Sequence, residues 1–187
     1  METNKSKSVI DACLKTFVSK GLFETTSRDL SKALQLQSGG LYYYFKSKDD
    51  VVVACAQEAA LRLESELILP ALRELRDPDR MMNILRTRAD KMAPMMRFLT
   101  QVATADKYKA KLQPVLDALG ERYKLYATKF AERFGCGIEE IEPYVYMSIT
   151  AVSNYMIFGE DSYVSPQIFL VKNKIKELLS KSEENKL

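Results

Sequence analysis

Residues 25–50 read TTSRDLSKALQLQSGGLYYYFKSKDD. Thr26, followed three residues later by Asp29, is a capping box: its hydroxyl suits the Asp29 amide, and the Asp29 carboxylate suits the amide of Thr26. Leu30, Ala33 and Leu34 then fall on one face at spacings of three and four, which predicts a short helix. Gln35, Leu36 and Gln37 break that face, and Ser38 starts a second predicted helix. Leu41, Tyr44 and Phe45 share one side of it, and Gly39, Tyr42, Tyr43 and Lys46 share the other. Two turns of helix cannot bury both sides. The Leu41 side is core, and the opposite side offers hydroxyls, an ammonium and bare backbone to a partner. A helix, a tight turn and a second helix with a polar, basic outer face is the layout of a helix-turn-helix, whose second helix enters the DNA major groove.

Working outward, a helix is predicted from about Ser6 to Lys20, with Val9, Ile10, Cys13, Leu14, Phe17 and Val18 as its apolar stripe and Gly21 as its stop. Leu22 and Phe23 are expected to fold back under the bundle. The core of this small domain is then Val9, Cys13, Phe17, Phe23, Leu30, Leu34, Leu36, Leu41 and Phe45. Some fifty residues are marginal alone, so the domain leans on the next helix. Ser47 and Asp50 form another capping box, and the helix they open continues to Leu69, where Pro70 kinks or ends it.

Composition narrows the function classes. The 187 residues carry 28 Lys and Arg against 25 Asp and Glu, a net charge of only +3, so nucleic-acid binding must rest on local placement of charge. Histidine is absent, which removes His-dependent triads and ordinary His metal ligands. Cys13, Cys55 and Cys136 are far apart and form no C-x-x-C, so neither a zinc site nor any other cofactor is expected. Cys13 and Cys55 read as small core residues. Cys136, between two glycines, reads as a loop thiol rather than a redox sensor. No apolar run is long enough to span a membrane, and METNKSKS has no hydrophobic segment after its lysines. A cytoplasmic protein that is not an enzyme is the expectation.

Beyond Pro70 the pattern predicts five more helices. Asp77-Pro78 caps one that runs to Met92. Pro94 opens another that ends near Thr104. The rest span Leu112 to Phe134, Glu139 to Phe158, and Ser165 to Lys181. Met81, Met82, Met92, Met95 and Met96 crowd the first two. That crowding suits an adaptable cavity and suits a filled core equally well.

Three strings carry a resemblance: Phe17-Val18-Ser19-Lys20-Gly21, Ser27-Arg28-Asp29-Leu30, and Leu41-Tyr42-Tyr43-Tyr44-Phe45-Lys46-Ser47-Lys48-Asp49. From about Val9 to Ala56 the chain resembles the tetracycline-repressor (TetR) family of regulators. It departs at Gln35, in a turn where the family usually has glycine, and at Ser38, where a basic residue is common. The resemblance implies an all-α protein of about nine helices. Residues 1–46 would be a helix-turn-helix DNA-binding domain, joined by the long fourth helix to a ligand-binding and dimerisation domain over 47–187. It implies a homodimeric, ligand-responsive repressor of an inverted-repeat operator in double-stranded DNA. The alternative is a helical protein-interaction module that keeps the fold without operator specificity.

The site residues follow from that resemblance together with the local chemistry. Tyr42 donates to a phosphate, Lys46 and Lys48 face the backbone, and Thr26 and Ser27 bond phosphate through hydroxyls and helix-end amides. Gly39 and Gly40 let the backbone approach DNA, leaving base reading to Arg28, Gln37, Ser38 and Tyr43. Arginine suits guanine through a bidentate pair. A small apolar or amphipathic ligand is expected among Met82, Leu85, Met92, Met96, Phe98, Leu99, Tyr123, Tyr126, Phe130, Tyr146 and Tyr155. The last two helices form the dimer interface, with Met147, Ala151 and Ser153 allowing close approach.

Overall fold

A computed structural model describes residues 2–37, 40–74, 77–162 and 164–184, with side chains over 7–37, 40–74, 77–162 and 164–182. The elements are α1 (Glu2–Lys20), α2 (Ser27–Ala33), a 3-10 turn (Gly40–Tyr43), α3 (Lys48–Leu63), a π turn (Glu64–Ile68), α4 (Leu69–Arg73), α5 (Pro78–Thr104), α6 (Asp106–Phe134), α7 (Ile138–Phe158) and α8 (Ser165–Glu184). No strand occurs among the described residues. Since α3, the π turn and α4 follow one another without a gap, the described residues hold seven helices, where about nine were expected.

The lower count has a physical reason. Pro94 was expected to open a helix and Pro114 to lie in the first turn of one, yet both lie well inside continuous helices. An interior proline forfeits one hydrogen bond and crowds the carbonyl four residues back. Buried neighbours outweigh that cost: Met92, Phe98 and Leu99 around Pro94, and Leu112 and Leu119 around Pro114. Helix α6 accordingly starts at Asp106, six residues before the expected Leu112.

The chain forms two compact units, Met1–Leu63 with Pro94–Val115, and Glu64–Ala93 with Leu116–Leu187. That division differs from the expected boundary between residues 46 and 47. It crosses the chain three times, each time inside a helix at or near an irregularity: the start of the π turn, Pro94, and one residue past Pro114. Such places interrupt regular helical bonding.

In the first unit Val9, Cys13, Leu14 and Phe17 of α1 are buried with Leu30, Leu41 and the α3 residues Val51, Val52, Cys55, Ala56 and Ala59. Gly21 has φ +90° and its amide donates to the Phe17 carbonyl at 2.7 Å, ending α1. Residues 94–115 complete this core. Phe98 stacks on Phe17 with ring centroids 5.1 Å apart, and the Leu22 amide donates to the Gln101 side chain at 3.1 Å. With Leu22 held inward, the next side chain turns outward: Phe23 is 78 % exposed, contrary to its expected place in the core.

The second unit packs α7 against α8, burying Ile141, Val145, Val152 and Met156 with Val171, Ile175 and Leu178. Gly159, at φ +74°, ends α7 with its amide on the Tyr155 carbonyl at 2.8 Å.

Candidate nucleic-acid interface

Helix α2 begins as its sequence dictates. The Thr26 amide donates to Asp29 Oδ2 at 2.9 Å and the Asp29 amide donates to Thr26 Oγ1 at 3.2 Å. The Thr26 hydroxyl also donates to Asp29 at 2.7 Å. In this structure the Thr26 hydroxyl is engaged by the cap. Lys20 Nζ sits 2.5 Å from Asp29 Oδ1, and Lys20 and then Thr26 hold this carboxyl well below the usual range. The turn that follows carries Gln35 at φ +56°, a left-handed conformation that a side chain makes costly.

The second helix of the motif is shorter than expected. Gly40–Tyr43 is a 3-10 turn; Ser38 and Gly39 lie outside the described residues. A Cβ on Gly40 would meet Leu36 Cβ at 2.7 Å, so internal packing requires a glycine there. The expected division of faces holds at Leu41, which is fully buried, while Tyr42 and Tyr43 are 53 % and 87 % exposed. Lys46 is exposed as well, and Tyr44 and Phe45 are half-buried.

Folding brings Tyr42 to α2. Its hydroxyl lies 3.5 Å from Ser27 Oγ, a pair of hydroxyls fifteen positions apart in sequence and both on the surface side. The charges sort themselves too. Asp11 pairs with Arg62, Asp29 with Lys20, Asp49 with Lys107 at 2.7 Å and Asp50 with Lys111 at 3.5 Å. Tyr108 also donates to Asp49, at 2.9 Å. Arg28, Lys46 and Lys48 make no ion pair among the described residues, and Arg28 and Gln37 are exposed. Acids at the start of α3 are thus neutralised from α6, whereas Arg28, Lys46 and Lys48, like Lys32, carry no ion pair among the described residues.

All three cysteines have their thiol pKa values raised. Cys13 and Cys55 are buried, and burial pushes the Cys13 thiol up to about 11 and Cys55 higher still. Burial also raises Cys136. No cluster of three metal-ligating side chains occurs among the described residues, and none of their helices is long and apolar enough to cross a membrane.

Of the residues expected around a ligand, Leu85, Tyr126 and Phe130 line one cavity of the second unit, and Met82, Leu85 and Tyr155 line another. Met92 lines a shallower groove. Met96, Phe98 and Leu99 belong instead to the first unit, where Phe98 completes the α1 core. Tyr123 and Tyr146 line none of these cavities, and Tyr146 is 40 % exposed. Sequence reasoning missed Ile68, Ala71, Ile149 and Val152, which carry no signal beyond ordinary apolar periodicity.

Residues 9–55 match the family of bacterial regulatory proteins, tetR family. No curated protein matches the chain. The match covers α1 from Val9 on, α2, the turn that carries Tyr42 and the first half of α3, which carry the exposed hydroxyls and the cations without an ion pair among the described residues. Over residues 9–55 the chain thus carries a DNA-binding domain like those of the tetR family, which supports a DNA-binding transcriptional regulator.

Proposed function

We propose that the protein is a ligand-responsive repressor that binds an inverted-repeat operator as a homodimer in the cytoplasm and releases it when a small molecule occupies the second unit. The observation that carries the DNA reading is the exposed Tyr42–Ser27 hydroxyl pair on a domain where Arg28, Lys46 and Lys48 have no acidic partner among the described residues. Two hydroxyls at that separation suit one phosphate oxygen, Lys46 and Lys48 suit phosphates, and Arg28 and Gln37 suit base edges, with Tyr43 beside them.

The dimer reading draws on α7 and α8, where Phe158, Phe169 and Leu170 are 71 %, 61 % and 52 % exposed. Large apolar groups gathered on two adjacent helices favour a self-complementary contact. Ala151 is fully buried within one protomer and so is not part of that contact. The switch reading draws on continuity of the chain. Lys48 starts the helical run that leads through the π turn to Ile68 and Ala71, which line a cavity. A ligand that displaces Ile68 or Ala71 acts on the same run as the DNA-side lysine.

The test is a mobility shift with duplexes from upstream of the protein's own coding region. One discrete complex, resisting excess unrelated DNA and mapping to two half-sites about 34–36 Å apart, is expected. Binding that unrelated DNA competes away equally would refute operator recognition.

A further inference from the structure

Two cavities lie within the second unit. One, of about 50 Å³, is lined almost wholly by carbon, including Ile68, Ala71, Phe130 and Ile149. The other, of about 220 Å³, is bordered by Asn83, Arg86, Tyr155, Asp161 and Ser165. Leu85 and Val152 line both, and each is only 6 % exposed. We propose that the two cavities are chambers of one site for an uncharged amphipathic molecule. Its apolar body enters the first chamber past Leu85, and its hydroxyl- or amide-type head remains in the second. This deepens the ligand-responsive reading above and rests on it.

The absence of net charge on the ligand follows from how the polar groups are already engaged. At the apolar chamber Tyr126 donates to Glu64 at 2.5 Å, and Arg122 holds the other oxygen of that buried carboxylate at 2.6 Å. Ser148 donates to the Tyr144 carbonyl at 2.7 Å. A charged group entering there finds no free counter-charge, and an unpaired charge is costly to bury.

At the polar chamber Arg86 pairs with Asp161 at 2.7 Å, and Tyr155 donates to Asp90 at 2.7 Å. Arg86 and Asp161 answer one another's charge here, so neither offers an unanswered charge that would favour an anionic or a cationic head. An uncharged head leaves both arrangements intact and bonds to the Asn83 amide or the Ser165 hydroxyl, neither of which has a side-chain partner among the described residues. The partition suits entry, because leucine changes rotamer between staggered wells without disturbing the backbone. The first chamber is well below the roughly 150 Å³ of a cavity that takes benzene, so the apolar body fits only once Leu85 turns.

The experiment uses the full chain and three probes with the same eight-carbon tail: 1-octanol, octanoate and octylammonium. Binding is read by thermal shift and by tyrosine fluorescence. Saturable octanol binding is expected, at a Kd about tenfold or more below those of the two ions. Leu85→Phe, which thickens the partition, is expected to weaken octanol by about tenfold, and Val152→Ile provides a gentler second obstruction should the first variant fold poorly.

Tighter octanoate binding lost in Arg86→Gln, or tighter octylammonium binding lost in Asp161→Asn, would overturn the uncharged head while leaving a ligand-responsive regulator intact. Octanol binding unaffected by both partition variants would overturn the two-chamber site. If none of the three probes binds up to its solubility, the proposal fails. A diverse compound set screened for release of operator DNA then decides the broader reading separately.

Discussion

The Glu66 carbonyl accepts from the Arg88 guanidinium at 2.6 Å. In a regular α-helix that carbonyl would take the amide of residue 70, but Pro70 has none. The chain answers with a π turn over Glu64–Ile68 just ahead of the proline and with a side-chain donor from α5. The helix therefore passes through Pro70 instead of stopping, and Ile68 and Ala71 stay positioned on the cavity wall.

A double-mutant cycle tests this compensation. Arg88→Ala is expected to cost about 0.5–1.5 kcal/mol, the net worth of one hydrogen bond. In a Pro70→Ala background the helix supplies its own donor, and the same substitution should then cost close to nothing. Equal costs in the two backgrounds, measured by urea unfolding, would show that Arg88 does not stand in for the missing amide.

The Asp29 cap makes a pH-dependent contribution whose sign is fixed. Lys20 and Thr26 depress its folded pKa, so the stability it adds is present above the ordinary aspartate value of about 3.9 and is lost as pH falls through the lower folded value. Asp29→Asn should flatten the loss of stability below that pH. Thr26→Ala should lower stability at neutral pH by about 1 kcal/mol. Acid titrations of the two variants followed by circular dichroism distinguish these effects.

On the DNA face, Tyr42→Phe and Ser27→Ala should weaken every duplex alike, because phosphate contacts carry no sequence information. Lys48→Ala should reduce the slope of log K against log salt by about one unit, and Arg28→Ala should cost about 1–3 kcal/mol on the operator while relaxing one base position. Anisotropy titrations at several salt concentrations separate the two classes. An unchanged slope for Lys48→Ala would remove that residue from the phosphate contacts.

Phe169→Glu places a charge on an exposed apolar position of α8. It should leave the helical signal intact, convert the dimer to monomer in sedimentation, and abolish operator binding in the same step. Ala151→Glu tests something different: this side chain is fully buried within the protomer, so its charge should unfold α7 packing outright.

What the sequence alone determined is what short-range rules govern. The capping box of Thr26 and Asp29, the stops at Gly21 and Gly159, the strained Gln35 and the opposition of Leu41 to Tyr42 and Tyr43 all depend on residues within a few positions of one another. The motif over residues 9–55 is legible for the same reason. Tertiary structure decided the rest. Helices run through Pro94 and Pro114 because buried neighbours outweigh a local penalty that sequence rules count in full. Phe98 joins the DNA-binding unit because it meets Phe17, eighty-one positions away. The Ser27–Tyr42 hydroxyl pair, the Arg88 donor at Glu66 and the partition of Leu85 and Val152 all unite distant residues. Periodicity assigns each of them to a face, and only packing selects the partner that face meets.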